Sequence, residues 1–129
     1  MAHPRKAHNA PVILVVEDEM LTRILAVAAF DDAGFTVMEA DNADQADKIL
    51  QSYADNVQVL FTDVEMPGAM TGARLMLHTR LHWPWIGLVA ASGKPKPGGD
   101  EMPADTRFFQ KPYDIGQIVA HVRELAPVG

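Results

Sequence analysis

Apolar and polar positions fall in long alternating blocks along this chain, and the blocks predict its elements. Residues 12–16, VILVV, are a continuous apolar run that ends in Glu17, Asp18 and Glu19. That is the pattern of a strand buried on both faces that carries acids to its carboxyl end. Apolar residues then recur at helical spacing (Leu21, Ile24, Leu25, Ala28) over residues 21–33, and Gly34 supplies a stop. Residues 35–40 form a short strand. Asn42 caps a helix through about residue 53, with Ala43, Ala46, Ile49 and Leu50 facing inward and Asp41, Asp44 and Asp47 suiting the helix dipole at its start. The next apolar run (Val57, Val59, Leu60, Phe61) reads as a central strand that brings Asp63 to its carboxyl end, and Pro67 ends regular structure soon afterwards.

A glycine-rich turn over residues 68–72 precedes a helix over 73–82, which Pro84 terminates, and residues 86–91 form the fourth strand. Gly68, Gly72 and Gly93 read as backbone turns. After Ser92 the segment GKPKPGGDEMP holds three prolines and three glycines in eleven residues, which predicts a loop with at most one helical turn. Residues 106–110 form a short fifth strand before Lys111 and Pro112. The last amphipathic helix runs over 114–126 through Ile115, Ile118, Val119, Val122 and Leu125.

Strands alternating with helices predict an α/β fold, a doubly wound parallel sheet with helices on both faces. In the flavodoxin-like version the strand order is 2-1-3-4-5 and ligands bind at the switch point between the first and third strands. The fourth helix is reduced or irregular. At 129 residues there is room for one domain. Residues 1–10 read as a disordered tail and 11–129 as the domain. The tail is basic but has no following apolar segment, so it does not read as a secretory signal.

Charge and composition narrow the function classes. A net charge of −6 argues against nucleic-acid binding, and no apolar run approaches the roughly 18 residues of a membrane span. The absence of cysteine removes disulfides, thiolate catalysis and zinc-finger sites, and a cytoplasmic location is the expectation. His78 and His82 could share a helix face, but without a third ligand they read as surface residues rather than a metal pair.

The chemistry gathers at the strand tips. Glu17, Asp18 and Asp63 converge on one crevice, where each pair of like charges about 4 Å apart repels by roughly 4 kcal/mol at an effective dielectric near 20. Either a shared proton raises a pKa, or a hard divalent cation such as Mg²⁺ sits among the oxygens. Ser92 adds a hydroxyl at the same rim and Lys111 a cation. Acids, metal, hydroxyl and lysine together fit phosphoryl transfer, with Asp63 as the nucleophile that forms an acyl phosphate.

The motifs VILVVEDE, VLFTDVEMPG, LVAASG and FFQKPY, in this order and spacing, resemble the receiver domain of bacterial two-component response regulators over about residues 12–126. The resemblance implies that Asp63 is the phosphoacceptor. It further implies that Asp18, Asp63 and the Glu65 backbone carbonyl ligate Mg²⁺, with Glu17 acting through water. Ser92 and Lys111 would bind phosphoryl oxygens. Phe108, or its neighbour Phe109, would be the aromatic that switches with Ser92, and Lys111-Pro112 would be a cis peptide. Glu19 matches no ligand position. A Glu65 to Lys94 ion pair that tunes phosphoryl lifetime is expected from their places beside the acceptor and Ser92.

The implied function is a stand-alone regulator that takes a phosphoryl group from a histidine kinase or a phosphotransfer protein. Its output would pass to an unidentified downstream protein, or the chain would act as a phosphate sink, as a monomer or weak dimer. It would turn over no external substrate and so would not be an enzyme. The alternatives are a phosphorylation-independent interaction module, a Mg²⁺-dependent phosphohydrolase and a flavodoxin-like cofactor binder. The hydrolase lacks a cap domain and a second base other than Glu65. The cofactor binder would need a glycine-rich phosphate loop where this chain has EDE.

Overall fold

The computed structural model describes residues 10–99 and 101–126, so the expected tail lies, except for residue 10, outside the described residues. Its elements run β1 (Val12–Val16), α1 (Met20–Asp32), β2 (Thr36–Ala40), α2 (Ala43–Tyr53), a 3-10 turn (Ala54–Asn56), β3 (Val57–Asp63), α3 (Gly72–His82), β4 (Gly87–Ser92), β5 (Arg107–Gln110) and α4 (Ile115–Leu125). The five strands form one parallel sheet in the order β2-β1-β3-β4-β5, as the alternation of strand and helix predicts. Between β4 and β5, where a further helix is reduced, the described residues form none.

Side-chain alternation along the central strands builds two cores. Leu14, Val16, Leu60, Val64, Leu88 and Ala90 point to the face covered by α2 and α3. Ile13, Val15, Val59, Phe61, Val89 and Ala91 point to the face covered by α1 and α4. Near-complete burial of both faces explains why these strands read as unbroken apolar runs. Caps set the helix starts: Asn42 accepts from Gln45 N at 2.7 Å, Thr71 from Arg74 N at 3.2 Å, and Asp114 from Gly116 N at 2.8 Å.

Three details differ from the sequence reading. The stripe that predicts α1 is not the stripe that packs. Ala26 and Phe30 are buried, whereas Leu21, Ile24 and Leu25 are 64%, 51% and 61% exposed and Met20 is 65% exposed. Periodicity identifies a helix without saying which of two apolar faces meets the sheet, and here the narrow Ala26/Phe30 face fits between β2 and α4. Asp47 does more than suit the dipole of α2, because its Oδ1 lies 3.2 Å from Nδ1 of His78 on α3. Finally, Gly72 is not part of the preceding turn but the first residue of α3. Gly72 is required by close approach instead: a Cβ there would stand 1.6 Å from the Asp63 carbonyl oxygen.

The gap left by the reduced helix is closed from two sides. Met102 and Pro103 are buried, and Met102 joins the α2/α3 core. Arg80, near the end of α3, donates to the carbonyls of Pro84 and Ile86 at 2.7 and 2.9 Å and forks onto Asp105 at 3.3 and 2.7 Å. One planar guanidinium thereby ties α3 to the chain entering β4 and to the chain entering β5.

The Gly72 contact generates a test. Gly72→Ala forces α3 off the end of β3 and is expected to cost about 3 kcal/mol or more in urea unfolding, the range of severe overpacking. Gly98→Ala, with nothing within 4 Å of the added carbon, is expected to stay within about 0.5 kcal/mol of the parent. Equal stabilities for the two variants would show that α3 moves freely.

Candidate phosphoryl-acceptor site

The parallel sheet decides where the acids meet. β1 and β3 are adjacent and in register from Ile13 opposite Val59 to Val16 opposite Thr62, so the residues just beyond Val16 and the last residue of β3 share one rim. Glu17, Asp18 and Asp63 each offer an oxygen there, and these oxygens lie within 4.8 Å of one another. Glu17 and Asp63 are buried, at 6% and 8% exposure, and Asp18 is open to solvent.

Lys111 reaches the cluster from the end of β5. Its Nζ lies 2.8 Å from Asp63 Oδ2 and 3.4 Å from Glu17 Oε1. The backbone N–H of Lys111 donates to the Ser92 carbonyl at 2.7 Å, which fixes the root of the side chain beside β4, and the Lys111–Pro112 peptide is cis. Ser92, fully buried at the end of β4, donates its hydroxyl to Glu65 Oε1 at 2.5 Å and accepts from Lys94 N at 3.0 Å.

This arrangement corrects one expectation. Glu65 and Lys94 do not form the ion pair, because the carboxylate of Glu65 is engaged by the Ser92 hydroxyl and Lys94 meets that hydroxyl through its backbone. Glu19, which matched no ligand position, caps α1 by accepting from Thr22 N and Oγ1 at 3.0 and 2.8 Å. Phe108 lies on the α2/α3 side of β5, partly buried against that core, and Phe109 lies on the opposite side with its ring 5.1 Å from His121. Sequence reasoning missed Arg23, which donates to the Glu17 carbonyl at 2.8 Å and pairs with Glu39 at 3.2 Å. A lone arginine among exposed apolar residues carries no signal of a contact 6 residues back.

Two anions and one cation in a buried pocket leave excess negative charge. Burial raises Glu17 to about 7, the Glu19 N–H bond opposing and the charge of Asp63 adding to the rise. Burial also raises Asp63, against the hydrogen bond and charge of Lys111. For Lys111, burial works against the charged form, yet the bond to Asp63 and the charges of Asp63 and Glu17 raise it overall. Three carboxylate oxygens, two of them buried, suit a hard divalent ion that keeps several waters, and Mg²⁺ fits that description.

Beside the pocket runs a groove of about 570 Å³ lined by Thr22, Leu25, Ala26, Pro112, Tyr113 and Ile115, with Lys111 at its inner end. Thr22, Leu25 and Ala26 of α1 form one bank of it. Among the described residues, no helix is long and apolar enough to cross a membrane.

Comparison with known proteins agrees with this geometry. The family model described as "Response regulator receiver domain" matches residues 13–123. "Sensor kinase CckA" of Brucella abortus (strain 2308) is 32% identical over 120 residues, covering 91% of this chain and 13% of the kinase. "Aerobic respiration control protein ArcA" of Escherichia coli (strain K12) is 28% identical over 121 residues, covering 91% of this chain and 49% of that protein. The chain thus spans about half or less of the length of these relatives. Among solved structures, the receiver domain of the hybrid histidine kinase CckA superposes with a TM-score of 0.76 at 28% identity, covering 88% of this chain and 97% of that one. A response regulator receiver protein from Sinorhizobium medicae WSM419 gives 0.83 at 24% identity, covering 90% and 94%, which speaks to the fold alone.

The raised Glu17 carboxyl predicts a pH dependence with a definite sign. Between the ordinary value of 4.5 and about 7, the folded protein holds a proton on Glu17 that the unfolded chain has released. Stability of the metal-free protein therefore falls as pH rises through that window. Glu17→Gln is expected to flatten this slope, leaving the variant more stable than the parent near pH 8 by on the order of 1–2 kcal/mol. Urea unfolding at a series of pH values checks it; parallel profiles for the two proteins would refute it.

Proposed function

Because the chain belongs to the response regulator receiver family, we propose that it accepts a phosphoryl group on Asp63 from a phosphohistidine of a sensor kinase or phosphotransfer protein. The observation that carries this reading is the placement of Asp63: buried at the carboxyl end of β3, 2.8 Å from a lysine ammonium and within a cluster of carboxylate oxygens.

On this reading the step is an in-line displacement at phosphorus. An oxygen of the Asp63 carboxylate attacks, an acyl phosphate bond forms, the bond to the donor imidazole nitrogen breaks, and the histidine leaves neutral once it takes up a proton. Lys111 releases the Asp63 oxygen and follows the charge onto a phosphoryl oxygen, its root held against Ser92 throughout. Ser92 supplies a neutral donor at the same rim. Asp18, Asp63 and the Glu65 carbonyl, with Glu17 acting through water, are the residues that would hold Mg²⁺, which when bound would neutralise charge on the phosphoryl oxygens. Tyr113 walls the groove beside Lys111 and its ring meets that of Phe61 at 6.1 Å, which limits water on that flank.

The donor must bring an imidazole to this rim. The half-exposed stripe of Met20, Leu21, Ile24 and Leu25 with the adjoining groove supports docking of an apolar partner surface there. After transfer, the added charge biases Ser92 and Phe108 toward a second arrangement, and the signal passes by protein contact or the group is lost to water. Such a module accepts and hydrolyses its own phosphoryl group and turns over no external substrate. We place it in the cytoplasm, where phosphohistidine donors are made.

Intact mass after incubation with acetyl phosphate, with and without Mg²⁺, tests the reading. A metal-dependent phosphoryl adduct is expected on the wild type and none on Asp63→Asn. An adduct that survives in Asp63→Asn would move the acceptor elsewhere. No adduct at all, with Mg²⁺ binding confirmed by titration, would leave a module that works by contact without phosphorylation.

A further inference from the structure

We propose that Glu65 is a positioning residue for phosphoryl acceptance: its carboxylate holds the only proton of the Ser92 hydroxyl, so that Ser92 must change acceptors before it can serve a phosphoryl oxygen. The inference rests on the reading of Asp63 as phosphoacceptor and adds a gate to it. Glu65 lies two residues beyond Asp63, where the chain leaves β3, and Val64 N bonds to the Ala91 carbonyl at 2.9 Å, which keeps this segment beside the end of β4.

A serine hydroxyl has one proton to donate. In the resting protein that proton goes to Glu65 Oε1 at 2.5 Å, while a lone pair of the same oxygen takes the Lys94 N–H at 3.0 Å. The main chain of Ser92 is pinned through its carbonyl to Lys111 N at 2.7 Å, and the residue is fully buried. Reassignment of the hydroxyl therefore falls on the Ser92 side-chain torsion alone, with the backbone left in place. Glu65 is exposed, so its carboxylate regains water once released. The bond is strong enough to hold the resting state and cheap enough on the glutamate side to open, as a gate requires. A phosphoryl oxygen competes for the same proton, so a weaker acceptor at position 65 shifts the balance toward the phosphoryl-bound arrangement.

Removing Glu65 also removes a negative charge near an anion site, and the test must separate the two effects. Beryllofluoride, which stands in for the phosphoryl group, is titrated with saturating Mg²⁺ into the wild type, Glu65→Ala and Glu65→Gln, each with and without Ser92→Ala. Asp63→Asn serves as control, and bound fluorine is followed by NMR. The gate predicts that Glu65→Ala binds about tenfold more tightly than wild type, the worth of a charge-assisted hydrogen bond. It predicts that Glu65→Gln, which keeps an acceptor oxygen, stays within about threefold of wild type. In the Ser92→Ala background the Glu65→Ala gain disappears. An equal gain in both backgrounds, a glutamine variant that matches alanine, or no gain from alanine would each overturn the gate while leaving the acceptor reading intact. A wild type that fails to bind beryllofluoride in an Asp63-dependent way would overturn the acceptor reading and the gate with it.

Discussion

The contact between Lys111 and Asp63 is the one on which the site depends. Two buried carboxylates stand at the tips of β1 and β3 with an exposed third beside them, their oxygens close enough for like charges to repel. A single ammonium, 2.8 Å from Asp63 and 3.4 Å from Glu17, offsets part of that repulsion. Burial nevertheless leaves the Glu17 and Asp63 carboxyls raised. On the proposed reading, these side chains stand where an incoming metal and phosphoryl group would find partners already oriented.

The two cores also fix the geometry of the rim. β3 lies between β1 and β4 and contributes to both cores, which anchors it in the middle of the sheet. Gly72 lets the first turn of α3 close directly onto the Asp63 carbonyl, and Gly72 N donates to Val64 O at 3.0 Å. Val64 is thereby held through both its N–H and its carbonyl, and the neighbouring Glu65 meets the Ser92 hydroxyl from there.

The side of the molecule between β4 and β5 follows a different logic. Prolines and glycines deny the segment after Ser92 a helix, which would leave the α2/α3 core open at its edge. Met102 fills the opening and the fork of Arg80 onto Asp105 holds the returning chain. Any partner that reads this face meets an extended loop rather than a helical ridge. The apolar stripe of α1 is by contrast a regular helical surface, and its Leu25 lines the groove that Lys111 also lines.

Most of the architecture was legible along the chain, because buried parallel strands must be continuous apolar runs and because Asn42 and Asp114 announce the starts of their helices. The convergence of Glu17, Asp18, Asp63 and Lys111 was legible too, since strand order alone brings strand ends to one rim. What the chain could not reveal were choices made between segments far apart in sequence. Two apolar faces on α1 are equivalent to a periodicity count, and only the space between β2 and α4 selects Ala26 and Phe30. Gly72 looks like a turn glycine until the Asp63 carbonyl is found against it. Glu65 had Lys94 as its obvious partner by charge, and it took the packed end of β4, with the Ser92 hydroxyl aimed at its carboxylate, to make a neutral donor win. Sequence determines which groups reach the rim; which of them touch is decided by packing, where differences of an ångström choose the hydrogen bond.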